Sequence, residues 1–192
     1  TTSLSGTPGI IKIYNRDDND PDVFQGYELY YKFYEFSSDT TNMASDYKSL
    51  FSVEEPEPSN LTTLGFKRIN TVSTTDKKTT YPMIYIDHSD RDSEFTITLD
   101  FSDVAASVKN PTVNYLSYPE ITLYRTVVDP DDTDNYKSFI YDDLSNTEDS
   151  DISHNRVTLS LFVFSYGKYD NVYNIYSRPV WLGYIQYDTL LN

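Results

Sequence analysis

Residues 24–36 read Phe24-Gln25-Gly26-Tyr27-Glu28-Leu29-Tyr30-Tyr31-Lys32-Phe33-Tyr34-Glu35-Phe36. From Tyr27 onward, Tyr27, Leu29, Tyr31 and Phe33 fall on one side of an extended chain and Glu28, Tyr30, Lys32 and Tyr34 on the other. The pattern predicts a long β-strand with one apolar face, which needs a second sheet to cover it. The best partner lies near the other end of the chain, where Val157, Leu159, Leu161 and Val163 alternate with Thr158, Ser160 and Phe162. The two ends are therefore expected to pack together around one shared core.

Outward from that framework, the 192 residues suffice for one domain with a sizeable core. Only 38% of them are hydrophobic, but 19 Tyr and 10 Phe supply core material, since an aromatic side chain buries ~150–250 Å². The net charge is −15, spread evenly as −7 over residues 1–96 and −8 over residues 97–192. With no basic region to neutralise phosphates, nucleic acid and anionic membrane surfaces are disfavoured partners. The acid excess by itself reads as solubility.

The chain contains no cysteine, which removes disulfides, thiolate metal sites and cysteine nucleophiles. A disulfide-free chain suits the cytosol and also a bacterial exterior. No apolar run approaches ~18 residues, so no transmembrane segment is expected. Residues 1–9, small and polar and punctuated by Pro8 and Gly9, read as a flexible leader. The opening lacks Met and signal features, as in a processed or truncated start, and a lipid anchor upstream of residue 1 fits it.

Along the chain, Ile10–Tyr14 reads as a strand ending in an acidic turn, Asn15 to Asp22. Gly26 suits a close backbone approach. Residues 37–42 read as loop, Asp46–Val53 as a short helix with Leu50 and Phe51 inward, and Glu54–Asn60 as a stiff acidic linker. Leu64–Val72 and Pro82–Asp87 are expected to pair with each other across a polar loop. Phe95–Phe101 alternates cleanly, with Phe95, Ile97, Leu99 and Phe101 on one face. Val104–Val108 suggests a turn of helix, and Ile121–Val128, Ser138–Tyr141 and Pro179–Tyr187 suggest strands.

Ile10–Tyr14, the Asp/Pro loop and Phe24–Lys32 resemble the second and third strands of a fibronectin type III domain, with its Gly-Tyr-x-Leu-Tyr-Tyr pattern. Val157–Gly167 followed by Tyr176-Ser177-Arg178-Pro179-Val180 resembles that family's sixth strand and the start of its seventh. Tyr14 stands where the family places a core Trp, and Thr158 or Leu159 where it places a Tyr. The resemblance implies an all-β, antiparallel β-sandwich, fibronectin type III-like and hence immunoglobulin-like. Residues 10–192 would then form one elaborated domain, with 37–155 as an insertion or extra strands between the third and sixth strands. Gly-Tyr-Glu-Leu-Tyr-Tyr and Tyr-Ser-Arg-Pro-Val-Trp-Leu-Gly-Tyr are also similar to uncharacterised spirochaetal surface lipoproteins, which implies a cell-envelope or extracellular location, on the bacterial outer surface or in the periplasm.

Catalytic motifs are poor. His88 and His154 are the only histidines, and no Gly-x-Ser-x-Gly elbow, Walker loop or His-Glu-x-x-His accompanies them. Thirty acidic residues make a chance carboxylate pair uninformative about glycoside hydrolysis. Asp17, Asp18, Asp20 and Asp22, with Asn19, offer hard oxygens suited to Ca²⁺, as do Asp129, Asp131, Asp132 and Asp134, but neither has EF-hand spacing. Solvated acidic turns are the plainer reading, and also for Asp87–Asp92. No cofactor is expected otherwise. Asn60-Leu61-Thr62 matches a glycosylation acceptor, meaningful only in a eukaryotic secretory setting.

Tyr30 and Tyr34, opposite the apolar face of the central strand, and Trp181, the sole Trp, are the ligand-binding candidates. Tyr85, Tyr124 or Tyr141 could join them from neighbouring strands. Exposed aromatics give flat, amphipathic contact area at low entropy cost; the plainer and favoured reading of Tyr30 and Tyr34 is a second core layer beneath the insertion. The expected function is a non-enzymatic, envelope or surface-exposed interaction module tethered through its N-terminus, with a protein or glycan as partner. A carbohydrate-binding module and a carboxylate-dependent hydrolase are the alternatives.

Overall fold

The computed structural model describes residues 9–35, 39–71, 82–102, 110–118, 120–126, 136–137, 139, 156–170 and 172–188. Among the described residues, eleven strands follow in order as β1 (Ile10–Asn15), β2 (Phe24–Glu35), β3 (Lys67–Thr71), β4 (Ile84–Tyr85), β5 (Phe95–Asp100), β6 (Thr112–Asn114), β7 (Ile121–Thr126), β8 (Tyr136–Lys137), β9 (Arg156–Tyr169), β10 (Tyr173–Tyr176) and β11 (Val180–Asp188). Helices α1 (Asp39–Phe51) and α2 (Pro58–Thr63) lie between β2 and β3. Every strand pair is antiparallel. The hydrogen-bonded order is β1-β5-β6-β7-β3-β2-β9-β10, with β11 also on β9, β4 on β2 and β8 on β7. The architecture is all-β, an antiparallel sheet that curls over its own core.

β2 and β9 form the longest pairing, with Leu29 opposite Val163, Tyr31 opposite Leu161 and Phe33 opposite Leu159. Residues directly across a ladder share a face, so the two apolar rows merge. That combined surface packs on Ile11, Ile13, Ile97, Leu99, Val113 and Leu123 from β1, β5, β6 and β7. The two ends of the chain do share one core. They do so as neighbours in the sheet, however, and β9 does not cover β2 from above. Alternation reveals which face is apolar and is silent on whether the partner strand lies beside it or across from it.

The same silence explains a second correction. Leu64–Val72 and Pro82–Asp87 contribute β3 and β4, but both lie along β2: β4 opposite Gly26 and Tyr27, β3 opposite Tyr30 and Tyr31. β4 can approach because residue 26 is glycine. Its φ is 144°, and a Cβ there would sit 1.9 Å from the Ile84 carbonyl oxygen.

The opposite face of the β2–β9 pair is also buried. Tyr30, Tyr34, Phe162 and Phe164 form a second core with Leu50, Leu61 and Phe66. α1 begins at Asp39, inside the stretch expected as loop, and carries Met43, Tyr47, Leu50 and Phe51 at spacings of three and four, which gathers them on one side of a helix. α2 occupies the segment expected as a stiff linker. Pro58 stands at its first position, where a missing N–H costs nothing. The Glu57 N–H donates to Asn60 Oδ1 at 2.8 Å, which commits the Asn60 side chain to a helix cap. Gly65, at φ 86°, ends the helix, and the Phe66 N–H donates back to the Leu61 carbonyl at 3.0 Å.

Residues 37–155 thus contribute α1, α2 and β3 to β8. The leader residues 1–8, Val104–Val108, Asp129–Asp134, Tyr141 and His154 lie outside the described residues. Among the described residues, no helix is long and apolar enough to cross a membrane.

Candidate functional site

The helix-side face of the sheet extends across β9 onto β11. Trp181 lies opposite Phe162, and Tyr184 opposite Ser160, so both belong to the same face as Phe162 and Tyr30. In a regular strand, residues three apart point to opposite faces. Here the register shifts between Trp181 and Gly183. Gly183 has φ 107°, a backbone region that L side chains avoid. This bulge turns Trp181 and Tyr184 outward together while Leu182 and Ile185 both stay buried, the kind of re-aiming that β-bulges produce.

The helical cap stops short of β11. Phe51 packs near Phe162, with ring centroids 6.4 Å apart, and Tyr47 meets the edge of Trp181 at 5.9 Å and 65°. Trp181 and Tyr184 are nearly parallel, at 6.3 Å and 23°. The three rings remain 45%, 37% and 44% exposed for Tyr47, Trp181 and Tyr184. Trp181 Nε1 donates inward to Ser160 Oγ at 3.0 Å, which fixes the indole and spends its one polar hydrogen. What it offers to solvent is aromatic carbon with no free donor.

All three sequence candidates for ligand binding lie on this one face, but only Trp181 emerges from it. Tyr30 and Tyr34 are 5% and 4% exposed, beneath α1 and α2, so these two candidates form the second core layer and not a stacking platform. The reason is chemical. Each ring is apolar enough to be buried, and each hydroxyl has an internal acceptor: Tyr30 donates to Glu28 Oε2 at 2.9 Å and Tyr34 to Asp46 Oδ2 at 2.7 Å. Burial, reinforced by those carboxylates, pushes both phenols well above their usual range. Glu28 is held in turn by Arg68, at 3.2 Å. Sequence reasoning missed Tyr47 and Tyr184. The Tyr47/Phe51 spacing and the glycine beside Tyr184 were the available signals.

The Asp17 to Asp22 loop is bound to the protein's own groups. Asp18 pairs with Arg16 at 2.9 Å, Asp22 faces His88 Nε2 at 3.0 Å, and Asp20 Oδ1 accepts the Asp22 N–H at 3.0 Å. Asn15 and Asn19 donate to the Arg91 carbonyl at 3.1 and 3.2 Å, while Arg91 reaches back to the Pro21 carbonyl at 2.7 Å. Asp17, Asp18, Asp20 and Asp22 do not converge as a Ca²⁺ site, and among the described residues no three His, Asp or Glu side chains form a group that could hold a metal ion. His88 and Asp22 are both exposed. Tyr85, suggested as a companion of Tyr30, is instead under Arg91, whose guanidinium lies 5.6 Å from its ring centre.

No protein-family model, curated protein or solved structure matches this chain.

Proposed function

We propose that the chain is a non-catalytic binding module that meets its partner through Tyr47, Trp181 and Tyr184. The observation that carries this reading is the convergence of three part-exposed rings where the helical cap ends and a bulge turns β11 outward. Rigid aromatic area gives contact energy at little entropic cost, and such rings are enriched among the residues that dominate interfaces. We also propose that the curled sheet is an elaborated fibronectin type III-like sandwich. In that fold the third, sixth and seventh strands share one sheet and the second and fifth the other. The neighbours β2, β9 and β11 and the pair β1–β5 support this assignment.

The proposal includes a location at a cell envelope, which is what the resemblance of Gly26–Tyr31 and Tyr176–Tyr184 to spirochaetal surface lipoproteins implies. A signal ending in a lipidated Cys, encoded just upstream of Thr1, would support it, and a cytosolic Met start there would overturn it. A glycan is the second reading of the partner, favoured by the near-parallel Trp181 and Tyr184 rings.

Peptide and glycan arrays probed with the native chain and with Tyr47→Ala and Tyr184→Ala test the binding surface. Signals that fall by about tenfold or more in both variants, with the urea midpoint unchanged, support it. Array signals that survive both substitutions undamaged would place the contact surface elsewhere.

A further inference from the structure

Resting on the binding surface just described, we propose that its occupant is a cation: an arginine or lysine side chain of a basic protein segment, received by the rings of Trp181, Tyr47 and Tyr184. The face of an aromatic ring carries negative potential and attracts a cation placed within about 6 Å of its centre, most strongly for Trp. Trp181 remains part-exposed while its only N–H is donated inward to Ser160, so its accessible surface is aromatic. Tyr47, inclined at 65° to the indole, and Tyr184, nearly parallel to it, bring two further rings to the same place.

The charge of the protein complements such an occupant. The chain carries −15 net, and Glu54, Glu55 and Glu57, all exposed, follow directly on the segment leaving α1. A field of that sign steers basic partners and repels acidic ones. The fold also shows the same chemistry internally. Lys32 Nζ sits 4.9 Å from the centre of the Tyr34 ring, and Arg91 sits 5.6 Å from that of Tyr85.

Arg178, exposed three residues before Trp181, and Lys48 both oppose a cation, and Lys48 is the one next in sequence to a ring. It is exposed and adjacent to Tyr47 on α1, so it weakens a cation's approach and gives the proposal a sign that a glycan would not share. Removing a like charge near the seat strengthens cation binding; for a neutral ligand it does nothing comparable.

Trp181 is the only tryptophan, so its emission reports occupancy without a label. The full chain is titrated with an arginine-glycine-serine repeat peptide, with the matching glutamate-glycine-serine peptide and with a neutral chito-oligosaccharide, each at low and high salt. The arginine peptide is expected to change the emission saturably. Its affinity should fall about tenfold in Tyr47→Ala and Tyr184→Ala, rise about threefold in Lys48→Glu, and weaken at high salt. Tyr47→Phe should retain binding, which separates loss of the ring from loss of fold. Arginine-peptide binding that is equal in the native chain and in both alanine variants would show attraction to net charge alone and overturn the proposal. No emission change with that peptide, or an unchanged affinity in Lys48→Glu, would do the same. An emission change with the oligosaccharide but not with the arginine peptide would overturn the cation while leaving the binding surface intact. Failure of the binding surface itself appears separately, as array signals indifferent to Tyr47→Ala and Tyr184→Ala.

Discussion

Replacing Asp46 with alanine tests how the helical cap is fastened to the sheet. Asp46 Oδ2 accepts from Lys32 Nζ at 2.6 Å and from the Tyr34 hydroxyl at 2.7 Å. The same ammonium donates to the Leu64 carbonyl, also at 2.6 Å. One carboxylate therefore ties α1 to β2 and, through Lys32, to the end of α2. The Lys32 and Asp46 side chains are 24% and 18% exposed, against 73% and 63% for the Arg16–Asp18 pair. A hydrogen bond to a charged group contributes ~1.5–3 kcal/mol, and breaking a fully buried pair costs ~3–5 kcal/mol. Partial exposure moves the cost toward the lower range, so Asp46→Ala should lose ~2–3 kcal/mol. Asp18→Ala, on an exposed pair, should stay within ~0.5 kcal/mol of the native chain. For a chain of this size the Asp46 loss corresponds to a fall in Tm of ~4–12 °C. Urea unfolding followed by circular dichroism measures both variants, and a cycle with Tyr34→Phe should show coupling of ~0.5 kcal/mol or more. An Asp46→Ala chain that unfolds at the same urea concentration as Asp18→Ala, or strictly additive effects with Tyr34→Phe, would refute the fastening.

Three further predictions concern the sheet. Leu29→Ala and Leu161→Ala, both wholly buried in the core shared by β2 and β9, should each cost ~2–5 kcal/mol and combine non-additively; near-neutral urea midpoints would contradict that shared core. Gly26→Ala should destabilise by more than ~1 kcal/mol, because the new Cβ would lie 1.9 Å from the Ile84 carbonyl oxygen, and an unchanged Tm would show that β4 does not approach β2 as described. The Tyr27, Tyr115 and Tyr176 phenols are pushed from 10.0 up to about 12, mainly by burial. Because the charged phenol is the deprotonated one, a raised value in the folded chain means that its stabilising contribution is complete below pH 10 and is lost as pH rises through about 12. Stability should fall across that window with a late wave of tyrosinate absorbance; a single wave centred at the ordinary value near pH 10 and finished by about pH 11 in a still-folded chain would contradict the burial of these rings.

The sequence by itself determined the longer strands and their apolar rows, though not the short β6 or β10. Tyr27, Leu29, Tyr31 and Phe33 of β2, Ile97 and Leu99 of β5, and Leu159, Leu161 and Val163 of β9 all enter one core, because a period of two assigns alternate side chains to opposite faces wherever the strand lies. Tertiary structure decided which strands became neighbours, since pairing joins segments far apart in the chain and local alternation does not encode the choice. It also decided the fate of the polar-looking side of β2. Glu28, Tyr30, Lys32 and Tyr34 left open whether a second layer covers them, and they are covered because Arg68 and Asp46 arrive from other segments to satisfy their polar groups while Phe66, Phe162 and Phe164 pack against the rings. The candidate site belongs to the same level. Trp181 was legible as a solitary aromatic, but its union with Tyr184 and Tyr47 depends on a one-residue bulge at Gly183 and on where α1 ends. A bulge reverses the facing of every residue beyond it, and that parity becomes fixed only when β11 pairs with β9.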